Sequence, residues 1–346
     1  MPPIKTAILS YGLSGKVFHA PFIDLHPGFE LTGVWERSKK LIKEVYPSAK
    51  SYDTLAALLA DDIDLVVINT PSYSHYEYAK KALLAGKNIV VEKPFTTTVA
   101  QGEELKAIAE EKHLLICPYQ NRRWNSDYRT VKRILDEGWL GEIVEAEIHY
   151  DRFNSVLSPK AHKETPGPGT GIVNDLGSHL IDQALQMFGW PEAVFADIDI
   201  TREGSLVDDY MEILLYYPKL RVRLKSGYFI REALPGYMIY GKKGTFLKSK
   251  ADPQEDQLVA GMKLTDPYYG IEPETEQGLL HTEKDGKVIR EKVPTEKGDF
   301  MGYYDGLHKA LTQNQALPVT VDEGINVIRI IEASYASNKE RRAVKL

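Results

Sequence analysis

The chain is nearly devoid of cysteine: its 346 residues include only Cys117, in the apolar run LLICPY. A single cysteine cannot form an internal disulfide and has no second thiol with which to share a metal ion. We therefore expect Cys117 to be a small residue of the hydrophobic core.

Long hydrophobic runs are also missing. No stretch approaches the roughly 18 consecutive apolar residues that a membrane-spanning helix requires. The N-terminal sequence MPPIKTAILS lacks the charged, apolar and cleavage regions of a secretory signal. The sequence therefore predicts a cytoplasmic protein without a membrane partner.

An excess of positive charge is absent as well, since 43 Lys and Arg residues are outnumbered by 49 Asp and Glu residues, for a net charge of -6. The basic residues are scattered, so no extended positive face is expected and nucleic acid is excluded as a predicted partner. With 43% hydrophobic and 27% charged residues, the composition is typical of a globular protein. The length predicts about two domains.

Two sequence patterns meet near residue 120. Before it, the apolar runs IKTAILS, FELTGVWE, IDLVVINT, NIVVEK and HLLICPY alternate with segments of helical periodicity, as in β-α-β units. After it, alternating runs such as EIVEAEIHYDRF and DYMEILLYY indicate antiparallel strands. We predict an α/β fold: an N-terminal Rossmann dinucleotide-binding domain (residues 1–120), and a C-terminal α+β domain (residues 121–346) with a large, mostly antiparallel sheet that binds substrate and mediates oligomerisation.

A candidate dinucleotide-binding turn follows the first strand. Its pattern is Ser10-x-Gly12-x-x-Gly15, with Leu13 and Ser14 between the two glycines. In the Rossmann fingerprint the first position makes a tight turn, the second lets the backbone approach the pyrophosphate, and the third lets the helix pack on the strand. Small Ser10 can replace the first glycine. The alternative is an ordinary strand-to-helix turn with two incidental glycines.

The end of the second strand, GVWERSKK, bears on the choice of cofactor. Glu36 is placed to bind the ribose hydroxyls of NAD, whereas Arg37, Ser38 and Lys39 suit the 2′-phosphate of NADP. Because Glu36 would repel that phosphate, one of the two groups must turn away. We favour NADP, with NAD or a solvated charged cluster as the alternatives.

Two further segments carry groups for catalysis. VVEKPF places Glu92, Lys93 and Pro94 at the carboxyl end of a parallel strand, where open α/β sheets bind ligands. The alternative for Lys93 is a solvent-facing strand end.

In NDLGSHLIDQAL, the residues Asp175, His179 and Asp182 are spaced i, i+4 and i+7, which predicts one face of a helix. A carboxylate one turn from a histidine can fix its tautomer and raise its pKa, as a general acid/base requires. The alternative is that Asp175 caps the helix while His179 packs locally. We expect no metal site, although a zinc ion would find further ligands in His162, Asp208 or Asp209.

Five motifs occur in a fixed order along the chain: YGLSG, NTPSYSHYEYA, VVEKP, YQNRRWN and NDLGSHLIDQAL. In this combination the sequence resembles the Gfo/Idh/MocA family of nicotinamide-dependent sugar and polyol oxidoreductases over nearly its whole length. Within the family, YGLSGKVFHAP, NRRWN and LPVTVDEGINVIRIIEAS look closest to the NADP-dependent scyllo-inositol dehydrogenases. The resemblance implies a homodimer or homotetramer. One departure is Glu36, since close NADP-linked relatives tend to have a small residue there.

The resemblance also implies roles for individual residues. Lys93 is expected to contact both the nicotinamide ribose and the substrate, beside a cis bond to Pro94, and Asp175 and His179 complete the catalytic set. The candidate cofactor-binding residues are Ser10, Gly12, Leu13, Ser14, Gly15, Glu36, Arg37, Ser38, Thr70, Pro71, His75, Glu92, Lys93 and Asn121. The candidate substrate-binding residues are Lys93, Arg122, Arg123, Tyr150, Arg152, Asn154, Asp175 and His179.

These observations predict an NAD(P)-dependent oxidoreductase that interconverts a secondary alcohol of a sugar or cyclic polyol and its ketone by hydride transfer. His179, oriented by Asp175, would accept the hydroxyl proton, and Lys93 would stabilise the developing alkoxide. The alternatives are a reductase or dehydrogenase of another aldose or diol, and a non-catalytic regulator that binds a dinucleotide.

Overall fold

A computed structural model of the chain describes residues 2–36 and 39–346, apart from the side chain of residue 162. The predictions for Arg37 and Ser38, and the zinc alternative at His162, lie outside the described residues.

Up to Gln120 the helices and strands are, in chain order, β1 (Ile4–Ile8), α1 (Ala20–Leu25), β2 (Phe29–Trp35), α2 (Ile42–Val45), β3 (Lys50–Tyr52), α3 (Leu55–Ala60), β4 (Leu65–Ile68), α4 (His75–Leu84), β5 (Asn88–Glu92), α5 (Val99–Lys112) and β6 (Ile116–Tyr119). From there on they are α6 (Ser126–Asp136), β7 (Ile143–His149), α7 (Ala161–Glu164), α8 (Ser178–Phe188), β8 (Ala193–Asp199), β9 (Tyr210–Tyr216), β10 (Arg221–Gly227), β11 (Tyr237–Gly241), β12 (Gly244–Lys248), α9 (Gln254–Val259), β13 (Gly278–Lys284), β14 (Lys287–Val293), α10 (Met301–Gln313), α11 (Val321–Glu340) and β15 (Val344–Lys345).

The described chain divides into two compact units. The first contains the residues up to Gln120 together with Leu258–Asp266 and Phe300–Asn326, and the second contains Asn121–Gln257, Pro267–Asp299 and Val327–Leu346. No helix in the described part of the chain has the length and apolar character needed to cross a lipid bilayer.

The first unit is built on a parallel sheet. Within the described residues its six strands pair in the order β3-β2-β1-β4-β5-β6, and the neighbours are parallel. This is the strand order of the Rossmann fold, in which the direction of winding reverses between β1 and β4. The Rossmann prediction is confirmed, and the fold places the carboxyl ends of β1 and β4 side by side as the expected ligand site.

The composition of the strands explains why this sheet is covered on both faces. All the residues of β4, the segment LVVI, are fully buried. Val66 and Ile68 pack with Leu83 of α4 and Leu105 of α5 in one hydrophobic cluster. The predicted apolar runs all became strands of this sheet, whereas β3 was not predicted because three residues are too few to show a periodicity.

The second unit is built on a larger mixed sheet. The described residues form nine strands in the order β14-β13-β12-β11-β7-β10-β9-β8-β15. Strands β7 and β10 are parallel, and the other neighbours are antiparallel. Buried and half-buried residues alternate along β9, so that one face of the sheet is in the core. The predicted α+β unit with a large, mostly antiparallel sheet is confirmed.

The sequence placed a single division after residue 120, but helix α10 belongs to the first unit. Its aromatic residues are the reason. Tyr304 stacks on Phe22 of α1 with 5.7 Å between ring centroids, and the Tyr303 hydroxyl donates to the Cys117 carbonyl oxygen at 3.1 Å. Cys117 itself is fully buried, in agreement with its expected place in the core.

Candidate functional site

The glycine turn lies at the carboxyl end of β1, beside the end of β4. Asn69, which follows β4, donates from its side-chain Nδ2 to the Ser10 carbonyl oxygen at 2.8 Å. A Cβ atom at Gly15 would lie 2.1 Å from that same oxygen, so only glycine fits there. At Gly12 the nearest atom to an added Cβ would be Ser10 Oγ, at 3.5 Å. Gly15 is therefore needed for the turn itself, whereas Gly12 leaves space beside the backbone.

The chain leaves this turn in a π-helical turn, Gly15–His19, before α1 begins at Ala20. The sequence predicted a regular helix from the turn onward, and short π-helical segments are frequent at functional sites. Leu13 is exposed at the turn. Asn69 Oδ1 is buried and has no hydrogen-bond partner among the described residues. Space at Gly12 and the orphaned acceptor of Asn69, whose Nδ2 binds the Ser10 carbonyl oxygen of the same turn, fit the binding of a dinucleotide.

A chain of hydrogen bonds connects the turn to the end of β5. Glu92 Oε1 accepts from Ser14 Oγ at 2.5 Å and lies 3.1 Å from Nε2 of the fully buried His19. His19 Nδ1 in turn lies 2.7 Å from the Tyr304 hydroxyl, and Glu92 Oε2 accepts from the Lys93 backbone N–H at 3.2 Å. Glu92 therefore links the glycine turn to the backbone of Lys93. Its part in cofactor binding stays a prediction.

The charge of Glu92 is secured by these neighbours. Burial alone would raise the pKa of the carboxyl, but the hydrogen bond and charge of His19, the hydrogen bond from Ser14 and the charge of Lys93 lower the pKa to about 2. Glu92 is thus a carboxylate at every pH used for enzyme assays.

Thr70 and Pro71 lie in the loop that follows β4. The Thr70 and Ser74 hydroxyls are 2.8 Å apart, and Ser74 Oγ donates to the Pro71 carbonyl oxygen at 2.7 Å. The loop beside the glycine turn is therefore held by its own hydroxyl and carbonyl groups.

His75 joins this loop to the turn after β5. Its Nε2 lies 2.8 Å from the Thr70 carbonyl oxygen, and its Nδ1 lies 2.9 Å from the Pro94 carbonyl oxygen. Burial lowers the pKa of His75, against the opposing effect of these two carbonyl groups. The peptide bond between Lys93 and Pro94 is cis, as the family resemblance implied. His75 thus supports the turn that carries Lys93, a role that the sequence did not indicate.

Glu36 directs its carboxylate into its own unit. Oε1 accepts from the Leu41 backbone N–H at 2.8 Å, Oε2 accepts from Ser51 Oγ at 2.9 Å, and the residue is only 6% exposed. To bind the ribose hydroxyls of NAD, Glu36 would have to give up these bonds. The choice between NAD and NADP stays a prediction.

In the second unit, NDLGSHLIDQAL is not one regular helix. Val173–Gly177 forms a π-helical turn, and α8 begins at Ser178 with the buried His179 in its first turn. The predicted stripe of Asp175, His179 and Asp182 assumed 100° per residue throughout, and this spacing does not hold across a π-helical turn.

Asp182 forms a buried ion pair. Its two oxygens accept from Arg123 Nε at 2.9 Å and from Arg123 Nη2 at 2.6 Å, and both side chains are less than a tenth exposed. Such a two-pronged contact fixes the arginine as well as the carboxylate. Arg123, predicted on the substrate side, and Asp182 therefore hold the 3₁₀ turn Asn121–Trp124 against α8.

Asp175 is the more accessible carboxylate of the segment, with a side chain that is 33% exposed and an Oδ2 atom 3.3 Å from Lys163 Nζ. Desolvation alone would lower the pKa of Arg152, but Tyr150 and Asp175 raise it. The structure thus brings together two of the predicted substrate-side residues and one predicted catalytic residue.

Tyr150, Arg152 and Asn154 leave the end of β7 on one path. Their backbone N–H groups donate at 2.9 to 3.0 Å to carbonyl oxygens of the segment 225–228, which extends the pairing of β7 with β10. The Arg152 guanidinium lies 5.2 Å from the centroid of the Tyr150 ring, and Asn154 is exposed.

Asn121 and Arg122 are buried in the 3₁₀ turn. Arg122 Nη2 donates to Glu255, while Arg122 Nε is buried without a hydrogen-bond partner among the described residues. Desolvation would lower the pKa of Arg122, but Tyr150 and Glu255 raise it. Arg122 is therefore a buried cation close to Tyr150, on the side that the sequence assigned to substrate.

Lys250 is a charged residue of this region that the sequence did not indicate. Its Nζ donates to the Tyr237 hydroxyl at 3.0 Å and to Gln183 Oε1 at 3.3 Å, and lies 5.0 Å from the centroid of the Tyr150 ring. Gln183 belongs to the motif NDLGSHLIDQAL, but Lys250 is 67 residues away along the chain. No local pattern connects the two.

A metal centre is not apparent in the described residues, where no three His, Cys, Asp or Glu side chains are placed to hold an ion. Asp208 accepts instead from the Val173 backbone N–H and the Tyr335 hydroxyl, both at 3.0 Å. Asp209 binds Arg202 Nε at 2.8 Å.

Comparison with protein families gives two matches that together cover most of the chain. Residues 4–119 match the Gfo/Idh/MocA model for an oxidoreductase family with an NAD-binding Rossmann fold, and residues 132–346 match the model for the C-terminal alpha/beta domain of that family.

Individual relatives align over the full length. The chain is 39% identical over 344 residues to the scyllo-inositol 2-dehydrogenase (NADP(+)) IolW of Bacillus subtilis, and the alignment covers 99% of this chain and 96% of that protein. The solved structure of the putative oxidoreductase yvaA from Bacillus subtilis superimposes with a TM-score of 0.95 at 38% identity, over 99% of this chain and 98% of that one. A putative oxidoreductase from Bacteroides fragilis is 47% identical with a TM-score of 0.91, over 99% and 100% of the two chains.

Proposed function

The chain belongs to the Gfo/Idh/MocA family of oxidoreductases, and from this premise we propose that it interconverts a secondary alcohol of a sugar or inositol-like polyol and the corresponding ketone, with NADP as cofactor. The observation that carries the proposal is the full-length similarity to an NADP-dependent scyllo-inositol dehydrogenase in a chain that contains Lys93, Asp175 and His179. Retention of these three groups together favours an enzyme over a dinucleotide-binding regulator.

The first unit contains the residues that would hold the cofactor. Gly15 allows the turn, Gly12 leaves room for a phosphate beside the backbone, and Asn69 Oδ1 is a buried acceptor without a partner in the described part of the chain. A bound nicotinamide dinucleotide would supply the hydride acceptor for alcohol oxidation and the hydride donor for ketone reduction.

Proton transfer is assigned to the second unit. In alcohol oxidation His179 accepts the hydroxyl proton of the substrate, a step that typically contributes a factor of about 10² to 10⁴ in rate. Asp175, whose Oδ2 lies 3.3 Å from Lys163 Nζ, has the proposed role of orienting His179. Lys93 stabilises the alkoxide that develops on the substrate oxygen, as a preorganised cation can.

The preference for NADP is supported by Glu36, whose carboxylate is engaged by Leu41 and Ser51. With Glu36 turned inwards, Arg37 and Lys39 are the cations after the second strand that could bind a 2′-phosphate, and Arg37 has the guanidinium fork that suits a phosphate best. Arg37→Ala is therefore expected to weaken NADP binding by at least tenfold, roughly the loss of one charge-assisted hydrogen bond, and to leave NAD binding unchanged. Equal loss for both cofactors would contradict this assignment.

A cofactor-reduction assay tests the activity. Purified protein is given NADP⁺ or NAD⁺ with inositols, aldoses and simple diols, and the absorbance of the reduced nicotinamide is followed. Lys93→Ala and His179→Ala are each expected to lower kcat by about two to four orders of magnitude on the best substrate. The matched controls are Lys81→Ala on α4 and His281→Ala on β13, both at exposed positions, and both should retain full activity.

The results separate the competing functions. Turnover of an inositol that both catalytic variants abolish supports the proposal. Turnover of only aldoses or diols would keep the proposed hydride transfer but change the proposed substrate to an aldose or a diol. Tight NADP binding without turnover of any alcohol or ketone, unaffected by either variant, identifies a regulator and overturns the proposed activity.

A further inference from the structure

Two cations of the second unit, Lys250 and Arg152, contact the ring of Tyr150 but form no ion pair with a carboxylate among the described residues. The Lys250 ammonium lies 5.0 Å and the Arg152 guanidinium 5.2 Å from the ring centroid. Lys250 is half-buried, and charged side chains that are taken out of bulk water are nearly always paired. Arg152 is exposed, and the charge of Asp175 acts on it without an ion pair in the described structure. A half-buried ammonium without a carboxylate partner among the described residues, next to a second cation on the same phenol ring, is therefore an unusual arrangement.

The immediate contacts of Lys250 are neutral. Nζ donates to the Tyr237 hydroxyl at 3.0 Å and to Gln183 Oε1 at 3.3 Å, and it also lies 4.5 Å from the Tyr237 ring centroid. Tyr237 and Gln183 are fully buried, whereas Lys250 is half-buried and so retains access to solvent. An ammonium group has three donors, of which these contacts use two, and one is left for a ligand.

The nearest carboxylates are committed to other groups. Asp127 accepts from the backbone N–H groups of Tyr128 at 2.6 Å and Ala251 at 3.1 Å. Asp252 accepts from the backbone N–H of Ser126 at 2.6 Å. They act on Lys250 from a distance and do not bind it.

Arg122 adds a third positive charge from the 3₁₀ turn. It is paired with Glu255 through Nη2, while its buried Nε has no partner in the described part of the chain. Burial and the charge of Arg122 lower the pKa of Lys250 to about 8, although Asp127 and Asp252 oppose this shift. The pKa of Lys250 therefore lies below that of an ordinary lysine because the group is desolvated and faces another cation.

We propose that Lys250, Arg152 and Arg122, arranged around Tyr150, form a subsite for an oxyanion, so that the substrate is a sugar or polyol that carries a carboxylate or phosphate group. Arginine and lysine are the side chains that bind such oxyanions best. Gln183, which touches Lys250, lies one helical turn beyond His179 on α8, so the subsite adjoins the proposed general base. This inference rests on the proposed function, and it narrows the substrate class.

Binding of an oxyanion is expected to increase the protonation of Lys250. A negative ligand raises the pKa of Lys250, so at about pH 8.5, just above the free value of about 8, binding takes up a fraction of one proton. A neutral polyol that forms only a hydrogen bond to Lys250 lacks the charge that drives this uptake. Proton uptake therefore distinguishes recognition of an anion from recognition of a hydroxyl group.

The experiment is isothermal titration calorimetry of the NADP-saturated protein at about pH 8.5, in two buffers that differ in ionisation enthalpy, since their difference gives the protons taken up. The probes are glucuronate for a carboxylate, a hexose monophosphate for a phosphate, and glucose and myo-inositol as neutral counterparts. We expect one of the two acidic probes to bind at least tenfold more tightly than the neutral ones, with proton uptake. Which acid binds identifies the source of the oxyanion.

Two substitutions of Lys250 separate the effect of its positive charge from the effect of its change in protonation. Lys250→Arg keeps the charge, so acid binding should persist without proton uptake, because an arginine does not titrate in this range. Lys250→Met should weaken acid binding by about ten- to a hundredfold and leave neutral probes unaffected. Arg152→Gln, at an exposed position, should also weaken acid binding and does not depend on how the interior tolerates a substitution. Lys242→Met, at an exposed ion pair with Glu142, is the control and should change neither.

Two outcomes would overturn the inference: acids that bind no more tightly than neutral polyols and without proton uptake, or a Lys250→Met variant that loses NADP affinity instead of acid affinity. Equal turnover of neutral and acidic substrates in the reduction assay would also remove the inference and leave the proposed oxidoreduction intact. Acid binding with proton uptake, combined with no turnover of any sugar or polyol, would keep the subsite and reject the oxidoreduction.

Discussion

The two units hold their candidate residues by different means. In the first, the side chains of Asn69 and His75 lie against backbone carbonyl oxygens of the turns that they support. In the second, ion pairs do this work, as between Arg123 and Asp182 or between Lys163 and Asp175. Contacts to backbone groups depend on shape, whereas ion pairs depend on charge, and in the first unit the contact of Glu92 with His19 adds one charged link to the backbone contacts. The two units should therefore respond to different perturbations.

The largest effect is expected where a buried charge loses its partner. Asp182→Ala leaves the Arg123 guanidinium, 9% exposed, without its carboxylate and should lower the free energy of unfolding by about 3 to 5 kcal/mol, as measured by urea denaturation. Asp197→Ala breaks an exposed pair with Arg341 in the same unit and should cost far less. Similar losses of unfolding free energy in the two variants would show that burial of an ion pair does not determine how much the pair stabilises the protein.

The corresponding test in the first unit is steric. Gly15→Ala forces a Cβ to within 2.1 Å of the Ser10 carbonyl oxygen and should lower the free energy of unfolding by roughly 1 to 3 kcal/mol, as overpacking does. Gly12→Ala meets only Ser10 Oγ at 3.5 Å, so the free protein should keep its stability while NADP affinity falls. Denaturation and calorimetry of both variants separate the two roles. A Gly12→Ala protein that binds NADP normally would remove Gly12 from the cofactor site.

A pH-dependent effect is expected in the second unit. His149, the last residue of β7, lies between Asp151 Oδ2 at 3.0 Å and Glu147 Oε2 at 3.2 Å. Burial would lower its pKa, but these two carboxylates raise it above 6.5. Because the folded pKa is the higher one, the stabilisation is complete below the unfolded value of about 6.5 and disappears as the pH rises through the folded value.

His149→Gln should therefore lower the free energy of unfolding by about 1 to 3 kcal/mol near pH 6 and by less near pH 9. Thermal or urea denaturation at the two pH values measures this difference. His75 of the first unit provides the contrast, since burial lowers its pKa and its two ring nitrogens lie against backbone carbonyl oxygens. A loss that is equal at both pH values would show that His149 contributes by packing and not by charge.

The smallest effect is expected for an ion pair at the surface of the first unit. Lys81 and Glu77 are one helical turn apart on α4, and both side chains are more than half exposed. Lys81→Ala should change the free energy of unfolding by less than the error of chemical denaturation, because solvent and salt screen such pairs. A clear loss of unfolding free energy in Lys81→Ala would mean that exposed ion pairs also stabilise the first unit.

The site of the first unit was largely predictable because its residues are close to strand ends that the sequence reveals. The pattern Ser10-x-Gly12-x-x-Gly15 follows β1 and the segment Glu92-Lys93-Pro94 follows β5, and parallel strands bring their carboxyl ends together. The partner of Glu92, by contrast, was missed. His19 stands in the quoted stretch YGLSGKVFHAP, but nothing local shows that its ring meets a residue 73 positions later.

The site of the second unit was predictable only in part. The motif NDLGSHLIDQAL identified Asp175 and His179, but the assumed regular helix concealed the π-helical turn and the bond of Asp182 to Arg123, 59 residues away. Lys250 was missed for the same reason, because its neighbours Gln183 and Tyr237 come from different elements. Antiparallel strands and turns join distant segments without a spacing rule that sequence alone provides.

By itself, the sequence determined the class of each unit and the identity of the family. Hydrophobic periodicity is set by local residue order, and a buried parallel sheet needs the apolar runs that the first 120 residues contain. Only the tertiary structure decided that α10 completes the first unit, that Glu36 faces inwards and that Lys250 stands beside Tyr150 without a carboxylate. The physical reason is that contacts between distant segments, and the charges that they bury, arise from packing and leave no periodic trace along the chain.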